Sequence, residues 1–385
     1  MTDHSRDGFE SDLDTMDDEV LASRFTPRTV AFVIAGIVAA IVGIYVLLPK
    51  LVGVSDAFKR IDDATWYWIV VAVGFELASF FAYGAVFRAV VASGPDAGVP
   101  RGRIDFKASL QIRTAAFAGT AFFSAAGAGG VAVMYWALRK AGMEPRRTAC
   151  RLVALTVILY GFYALALMVF GVLLRTGVLP GDNPTGGTTV PAAFAALLIV
   201  IAGLIALIPG DLERRIGLLQ KRRRLWARIG RRVAAIPGTV ATGVRTAYDR
   251  LRDPRTGWLA VTGGVLYWAG NIGVLWAAFH AYGVHVPFGV MVQAFFVGMV
   301  ANVLPSPAAG VGPVDAGMIG AFILFGISKE AVFPAILTYR LIAFWLPAVP
   351  GVPAWFALRK TVQRWQREDS DARGYTSVSK VLEAT

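Results

Sequence analysis

Long apolar stretches separated by short polar or basic loops recur along the chain, and this pattern predicts membrane helices near 29–49, 66–91, 106–123, 148–174, 190–209, 257–280, 287–304 and 330–350. Each is close to the roughly 20 apolar residues that cross a bilayer core at about 1.5 Å per residue. Two shorter apolar segments, 129–141 and 313–326, follow interruptions rich in glycine and proline. The expected fold is an all-α polytopic membrane protein with about eight transmembrane helices and two short Gly/Pro-broken helices.

The two interruptions resemble one another. Ala125-Ala126-Gly127-Ala128-Gly129-Gly130-Val131 returns 183 positions later as Ala308-Ala309-Gly310-Val311-Gly312-Pro313-Val314. Glycine and proline break a helix and leave backbone groups unpaired. Inside a bilayer such backbone is tolerated only where it is buried in protein or lines a polar cavity. Interrupted segments at corresponding positions of two halves point to a transport site between them. Each break also directs a helix N-terminus, with free N–H groups and partial positive charge, into the membrane, which suits an anion. The competing reading is close packing of helices through small residues. Prolines at 305, 307 and 313 exceed what packing alone asks for.

Composition agrees with a membrane chain: 56% of residues are hydrophobic, 17% are charged and mean hydropathy is positive. The net charge of +12 is unevenly placed. Residues 1–28 hold eight Asp/Glu against Arg6, Arg24 and Arg28, and read as an acidic disordered tail. Loop 93–107 carries Arg101, Arg103 and Lys107, and loop 139–151 carries Arg139, Lys140, Arg146, Arg147 and Arg151. Region 210–256 holds thirteen Lys/Arg against four Asp/Glu, and Arg359, Lys360, Arg364 and Arg367 follow the last span. If both short segments cross, the positive-inside rule puts every basic loop and both termini in the cytoplasm. If both only dip in and return, loop 139–151 lands outside with five basic residues, so crossing is favoured. The two glycine motifs then lie in halves of opposite orientation, an inverted-topology repeat.

The domain reading is accordingly 1–28, an acidic cytoplasmic tail; 29–209, a first transmembrane half; 210–256, a basic cytoplasmic insert; 257–358, a second transmembrane half; and 359–385, a cytoplasmic tail. Within the insert Leu212, Ile216, Leu219, Trp226, Ile229 and Val233 fall at helical spacing among Arg and Lys. Such a helix lies on an anionic inner leaflet, or the region is a solvated linker serving as a topology signal. Without a recognised fold around the basic run, nucleic acid is not an expected partner.

Ionisable residues within spans are costly and are site candidates by default. Glu76 lies about ten residues into the second span, Arg113 midway along the third, Asp315 just past the second break and Arg340 near the middle of the last. Asp315 at the third position after Gly312 would offset the helix dipole and bond free N–H groups, a role compatible with transport. Arg340 either pairs with Asp315 or Glu76, or grips a phosphate in a fork. Arg113 and Glu76 have a structural alternative too, snorkelling or pairing. The candidate substrate-binding set is therefore Arg340, Asp315, Gly310, Gly312, Gly127, Gly129, Arg113 and Glu76. No P-loop, nucleophile elbow, His-Glu-x-x-His or dinucleotide fingerprint is present. One cysteine, Cys150, and three histidines leave little for metal chemistry, so no catalytic residue, metal or cofactor is expected.

The stretch Pro305-Ser306-Pro307-Ala308-Ala309-Gly310-Val311-Gly312-Pro313-Val314-Asp315-Ala316 resembles a signature of the lysylphosphatidylglycerol synthase transmembrane-region family, the flippase-like integral membrane proteins. Leu337-Thr338-Tyr339-Arg340-Leu341 running to Phe344-Trp345-Leu346-Pro347 is similar to a second run of that family, and Ala125–Gly142 looks like its first-half counterpart. The resemblance covers roughly residues 30–358. Two departures stand out: Ala308-Ala309 replaces a glycine pair, and Asp315 stands where glutamate is usual. About 27 residues follow Leu358, too few for the aminoacyl-transferase domain of the family's bifunctional members. The resemblance implies movement of a phospholipid or lipid-linked anion between leaflets of the cell membrane. A membrane-embedded transferase, or an accessory scaffold for a cell-envelope lipid enzyme, is the alternative.

Overall fold

The computed structural model describes residues 64–93, 99–100, 102–122, 128–207, 240–303 and 312–383. The expected span at 29–49, the amphipathic stretch 212–233 and the centres of both glycine interruptions lie outside these residues. Two compact units divide the chain near Phe58, and all described residues belong to the second.

The described residues form helices and no strand. α1 is Trp66–Phe87, continued by a π turn over Arg88–Ala92. α2 is Phe106–Phe122, α3 Ala128–Lys140, α4 Pro145–Arg175 and α5 Thr189–Leu207. α6 is Gly257–Ala281, and α7, Phe288–Met299, passes into a 3-10 turn over Val300–Val303. α8 is Pro313–Leu324 and α9 Lys329–Arg340, followed by a π turn at Leu341–Trp345 and α10, Leu346–Glu383. Five helical stretches are long and apolar enough to cross a bilayer: Trp66–Ala92, Pro145–Arg175, Thr189–Ala206, Gly257–Ala281 and Lys329–Asp371. Phe288–Asn302 and Pro313–Leu324 are shorter apolar helices. Val190, Phe194, Leu197, Leu198 and Leu204 of α5 are exposed, a surface suited to lipid rather than water.

Small residues set the close approaches. Along α6, Gly263, Gly270 and Gly273 face α1: a Cβ at Gly270 would stand 2.9 Å from the Phe75 carbonyl, and one at Gly263 would stand 3.0 Å from that of Ala82. Ser79 donates to the Tyr267 carbonyl across this contact (3.1 Å), and Asn271 donates to Ser79 Oγ at 2.8 Å. α2 packs on α3 and α7 packs on α8 in the same manner. A Cβ at Gly130 would sit 2.7 Å from the Ala116 carbonyl, and one at Gly298 would sit 2.8 Å from the Met318 nitrogen. Backbone-to-backbone contact of this kind is how helices associate without a hydrophobic drive between them.

The basic residues gather at one end of the bundle. Arg103, before α2, pairs with Asp369 of α10 and donates to the Trp365 carbonyl (3.4 Å) and to the Ala141 carbonyl just past α3 (3.3 Å). Arg151 of α4 donates to the carbonyls of Val91 and Ser93, where α1 ends. Arg139 donates to Met143 O at 2.7 Å. The carbonyls of Val91, Ser93 and Ala141 lie at helix C-termini, where these cations satisfy open acceptors and oppose the partial negative charge. At the other end Thr65 N donates to Ala281 O at 2.9 Å, so α1 begins where α6 finishes. Tyr282 and Thr338 also meet there, 2.7 Å apart.

The structure adds detail to two of these segments. The last helix continues past the expected span limit at 350: it runs from Leu346 to Glu383 and takes in residues 359–383 of the expected tail. Pro347 falls in its first turn, where no N–H is needed. Just before it the ladder loosens, with Leu346 N bonding Leu341 O five residues back. Beyond the apolar part, Leu358, Val362 and Trp365 at helical spacing are all buried and dock the polar helix. The described part of the basic insert also packs on the bundle. Residues 240–252 are helical with Ala241, Val244 and Ala247 buried, and Gly243 lies against Val153 of α4. Arg245 donates to the Ala206 carbonyl at 2.9 Å, closing the end of α5.

Candidate functional site

Glu76, Arg113, Asp315 and Arg340 are all buried, at 5%, 6%, 3% and 8% exposure respectively. They form two pairs of different character.

Asp315 and Arg340 are fully matched. Arg340 Nε donates to Asp315 Oδ1 at 2.7 Å, and Gly312 N donates to Asp315 Oδ2 at 3.0 Å. Gly312 takes φ +94°, a left-handed conformation that L residues with a Cβ rarely adopt, and this turns the chain into Pro313 at the first position of α8. Asp315 thus supplies the anion for the N-terminus of α8, and Arg340 neutralises Asp315. Arg340 also lies 5.2 Å from the centre of the Phe344 ring. The first turn of α3 holds no acidic residue, so the two broken helices differ at this point.

Glu76 and Arg113 are not matched. Arg113 is stacked among rings, with its Cζ 3.7 Å from the centre of Tyr83, 4.6 Å from Phe80 and 5.5 Å from Tyr267. It also interacts electrostatically with Tyr267. Its Nε finds no acceptor, and Glu76 Oε2 finds no donor. The two interact electrostatically, yet among the described residues no ion pair within 4.0 Å joins them. Rings cover the face of the guanidinium; the in-plane N–H groups at its edge are what recognise an anion.

The positions follow from helical spacing. Glu76, Ser79, Phe80 and Tyr83 recur at three and four residues and so share one face of α1. α6 brings Tyr267 to that face through its glycine contacts, and α2 brings Arg113. Tyr339, next to Arg340, interacts electrostatically with Glu76, Tyr267, Asp315 and Arg340. Sequence reading missed these tyrosines. Tyr83 sits seven residues from Glu76 and was legible by spacing, whereas Tyr267 is 191 residues from Glu76 and was not.

Of the glycines, Gly312 is the turn into α8. Gly129 is a packing residue: its carbonyl is 3.0 Å from where a Cβ at Gly119 would stand. Gly127 and Gly310 lie outside the described residues.

Comparison with known proteins adds the family. Residues 31–351 match the family described as the lysylphosphatidylglycerol synthase TM region. A UPF0104 membrane protein of Methanothermobacter thermautotrophicus is 24% identical over 179 residues, covering 41% of this chain and 53% of that protein. The chain therefore spans about half the length of the curated relative it matches. Five long apolar helices, two short ones and a buried charged cluster accompany a match over more than 300 residues. The chain belongs to the lysylphosphatidylglycerol synthase transmembrane-region family, and it is a multi-pass membrane protein.

Proposed function

We propose that this protein is a flippase-like transporter moving a phospholipid or lipid-linked anion between leaflets. The observation that carries the reading is Arg113, a guanidinium buried among three aromatic rings with its Nε unmet. A buried cation lacking a carboxylate within ion-pair distance costs several kcal/mol unless something else supplies the negative charge. A phosphate that enters and leaves is such a partner. In this reading Arg340 and Asp315 hold α8 in place, and Arg113 is the residue that meets the substrate.

The packing supports an inverted repeat. The α2–α3 hairpin enters from the end where Arg103, Ala141 and Asp369 meet, while α7–α8 follows the end where α6 stops and Tyr282 lies. α2 packs on α10 as α7 packs on α4, and α1 meets α6 between them. Two hairpins inserted from opposite ends around a central pair suit alternating access to one site. The basic end is the cytoplasmic one by the positive-inside rule, and charge asymmetry along the sequence assigns both termini to the cytoplasm. The basic insert rests against anionic inner-leaflet lipids.

The test is lipid movement in reconstituted vesicles, with fluorescent phospholipids and polyprenyl phosphates as probes and exchange read by dithionite quenching. Wild-type protein accelerates exchange of at least one anionic or phosphodiester lipid over protein-free vesicles. Arg113→Lys keeps the charge but loses the planar stack on Tyr83 and slows it, on the order of tenfold. Arg113→Ala abolishes it. Full activity in a folded Arg113→Ala protein would overturn the assignment of the substrate to this residue.

A further inference from the structure

Arg113 is half of a site. Glu76 sits on the neighbouring helix with one carboxylate oxygen unmet, and it is as deeply buried as the arginine. A structural pair would close into an ion pair, as Asp315 and Arg340 do at 2.7 Å. Here the guanidinium is instead held on Tyr83 and Phe80, with Tyr267 beyond them, and the Glu76 carboxyl stays outside ion-pair distance. An unmet guanidinium N–H of Arg113 and an unmet carboxyl oxygen of Glu76 are thus both buried and within electrostatic reach of one another. Each is costly empty, and one bound group with the opposite pattern would meet both.

We infer that Glu76 and Arg113 together form a headgroup site selective for a phosphodiester followed by a hydrogen-bond donor, with the phosphate on Arg113 and the donor on Glu76 Oε2. This rests on the transport reading above and narrows its substrate class. A primary ammonium fits best, because it donates a hydrogen bond to Oε2 and its positive charge favours the carboxylate form of Glu76. A hydroxyl, as on phosphoglycerol, gives the bond alone. A quaternary ammonium has no N–H and leaves Oε2 unmet. A site built around a hydrogen bond rejects the analogue that lacks it far more strongly than a site built on shape does. The tyrosine rings at the site would contact either cation, so they do not discriminate between them.

The experiment has two read-outs on the full-length protein. In the first, short-chain phosphoethanolamine, phosphoglycerol and phosphocholine lipids are titrated against purified protein, and thermal stabilisation reports binding. In the second, vesicles carry the long-chain fluorescent forms and exchange rates are compared. Wild type should prefer phosphoethanolamine to phosphocholine by on the order of tenfold or more, with phosphoglycerol between them. Glu76→Met, which removes the acceptor, should bring the ethanolamine and choline forms to within about threefold of one another. If Glu76→Met does not fold, Glu76→Asp serves, because it withdraws the oxygen by one methylene, and the preference should again fall. Equal binding of the ethanolamine and choline forms by wild type, or an unchanged preference in a folded Glu76 variant, overturns the site. A binding preference that depends on Glu76, with no exchange of any lipid, keeps the site and overturns the transport reading instead.

Discussion

Asp315 and Arg340 each answer a charge that the other would leave uncompensated inside the protein. Removing one partner of a buried ion pair costs about 3–5 kcal/mol, whereas replacing both by apolar groups is often neutral. Asp315 has a second duty, accepting from Gly312 N. Asp315→Asn therefore should lower the melting temperature of the detergent-solubilised protein markedly, and Arg340→Met should do likewise. Asp315→Leu with Arg340→Met should recover most of the loss, short of the capping contribution of roughly 1 kcal/mol. A double variant as unstable as the sum of the two singles would show that the residues are not energetically coupled. At this scale the sequence was informative about kind, and it offered Asp315 or Glu76 as a partner for Arg340 without choosing between them. It marked four charged residues as exceptional because apolar runs surround them. Which carboxylate meets which guanidinium depends on approach between helices 25 or more residues apart.

The helices meet through glycine, and the energetic weight of each glycine depends on what lies opposite. At Gly298 a Cβ would fall 2.5 Å from Met318 Cα and 2.8 Å from its nitrogen, atoms that belong to the backbone of α8 and cannot move alone. Gly298→Ala should therefore separate α7 from α8 and cost roughly 1–3 kcal/mol. Gly74 of α1 has nothing within 4 Å, and Gly74→Ala should be neutral or stabilise by up to about 1 kcal/mol through helix propensity. Thermal denaturation of the two variants side by side checks the difference. Gly127→Leu and Gly310→Leu, at the centres of the interruptions, should impair folding or lipid exchange, measured as monodisperse yield and dithionite-quenched exchange. Wild-type behaviour of both would remove the support for paired breaks. Element boundaries were mostly legible, since α1, α4, α5 and α6 start and stop within a few residues of the apolar limits. The end of the last helix was not. The span was read as ending with the apolar run near 350, but Leu358, Val362 and Trp365 carry the helix onward by docking against the bundle.

Across the whole molecule, basic residues from three separated stretches converge on one end, with Arg103 joining the start of α2, the end of α3 and the final helix. Asp369→Asn should loosen the final helix there and raise its protease sensitivity, while leaving the Asp315–Arg340 region unchanged. Cysteine labelling tests which way this end faces. In a protein with Cys150 replaced, a cysteine introduced at Arg223 should resist a membrane-impermeant reagent in intact cells and react after lysis. Rapid labelling in intact cells would reverse the topology.

What the sequence determined by itself was the solvent and the set of costly residues. Burial of apolar runs in lipid and the expense of charge within them are local properties, readable one segment at a time. That reasoning identified a helical membrane protein, its interrupted segments and its four intramembrane charges. Only the tertiary structure decided that Asp315 and Arg340 complete each other while Glu76 and Arg113 do not. The cause is geometric: α6 slides against α1 on bare glycine backbone and brings Tyr267 beside Tyr83, and the rings hold Arg113 by its face, apart from the carboxylate. Pairing is a property of distances between helices, and those are set by the packing of small residues that no single segment reveals.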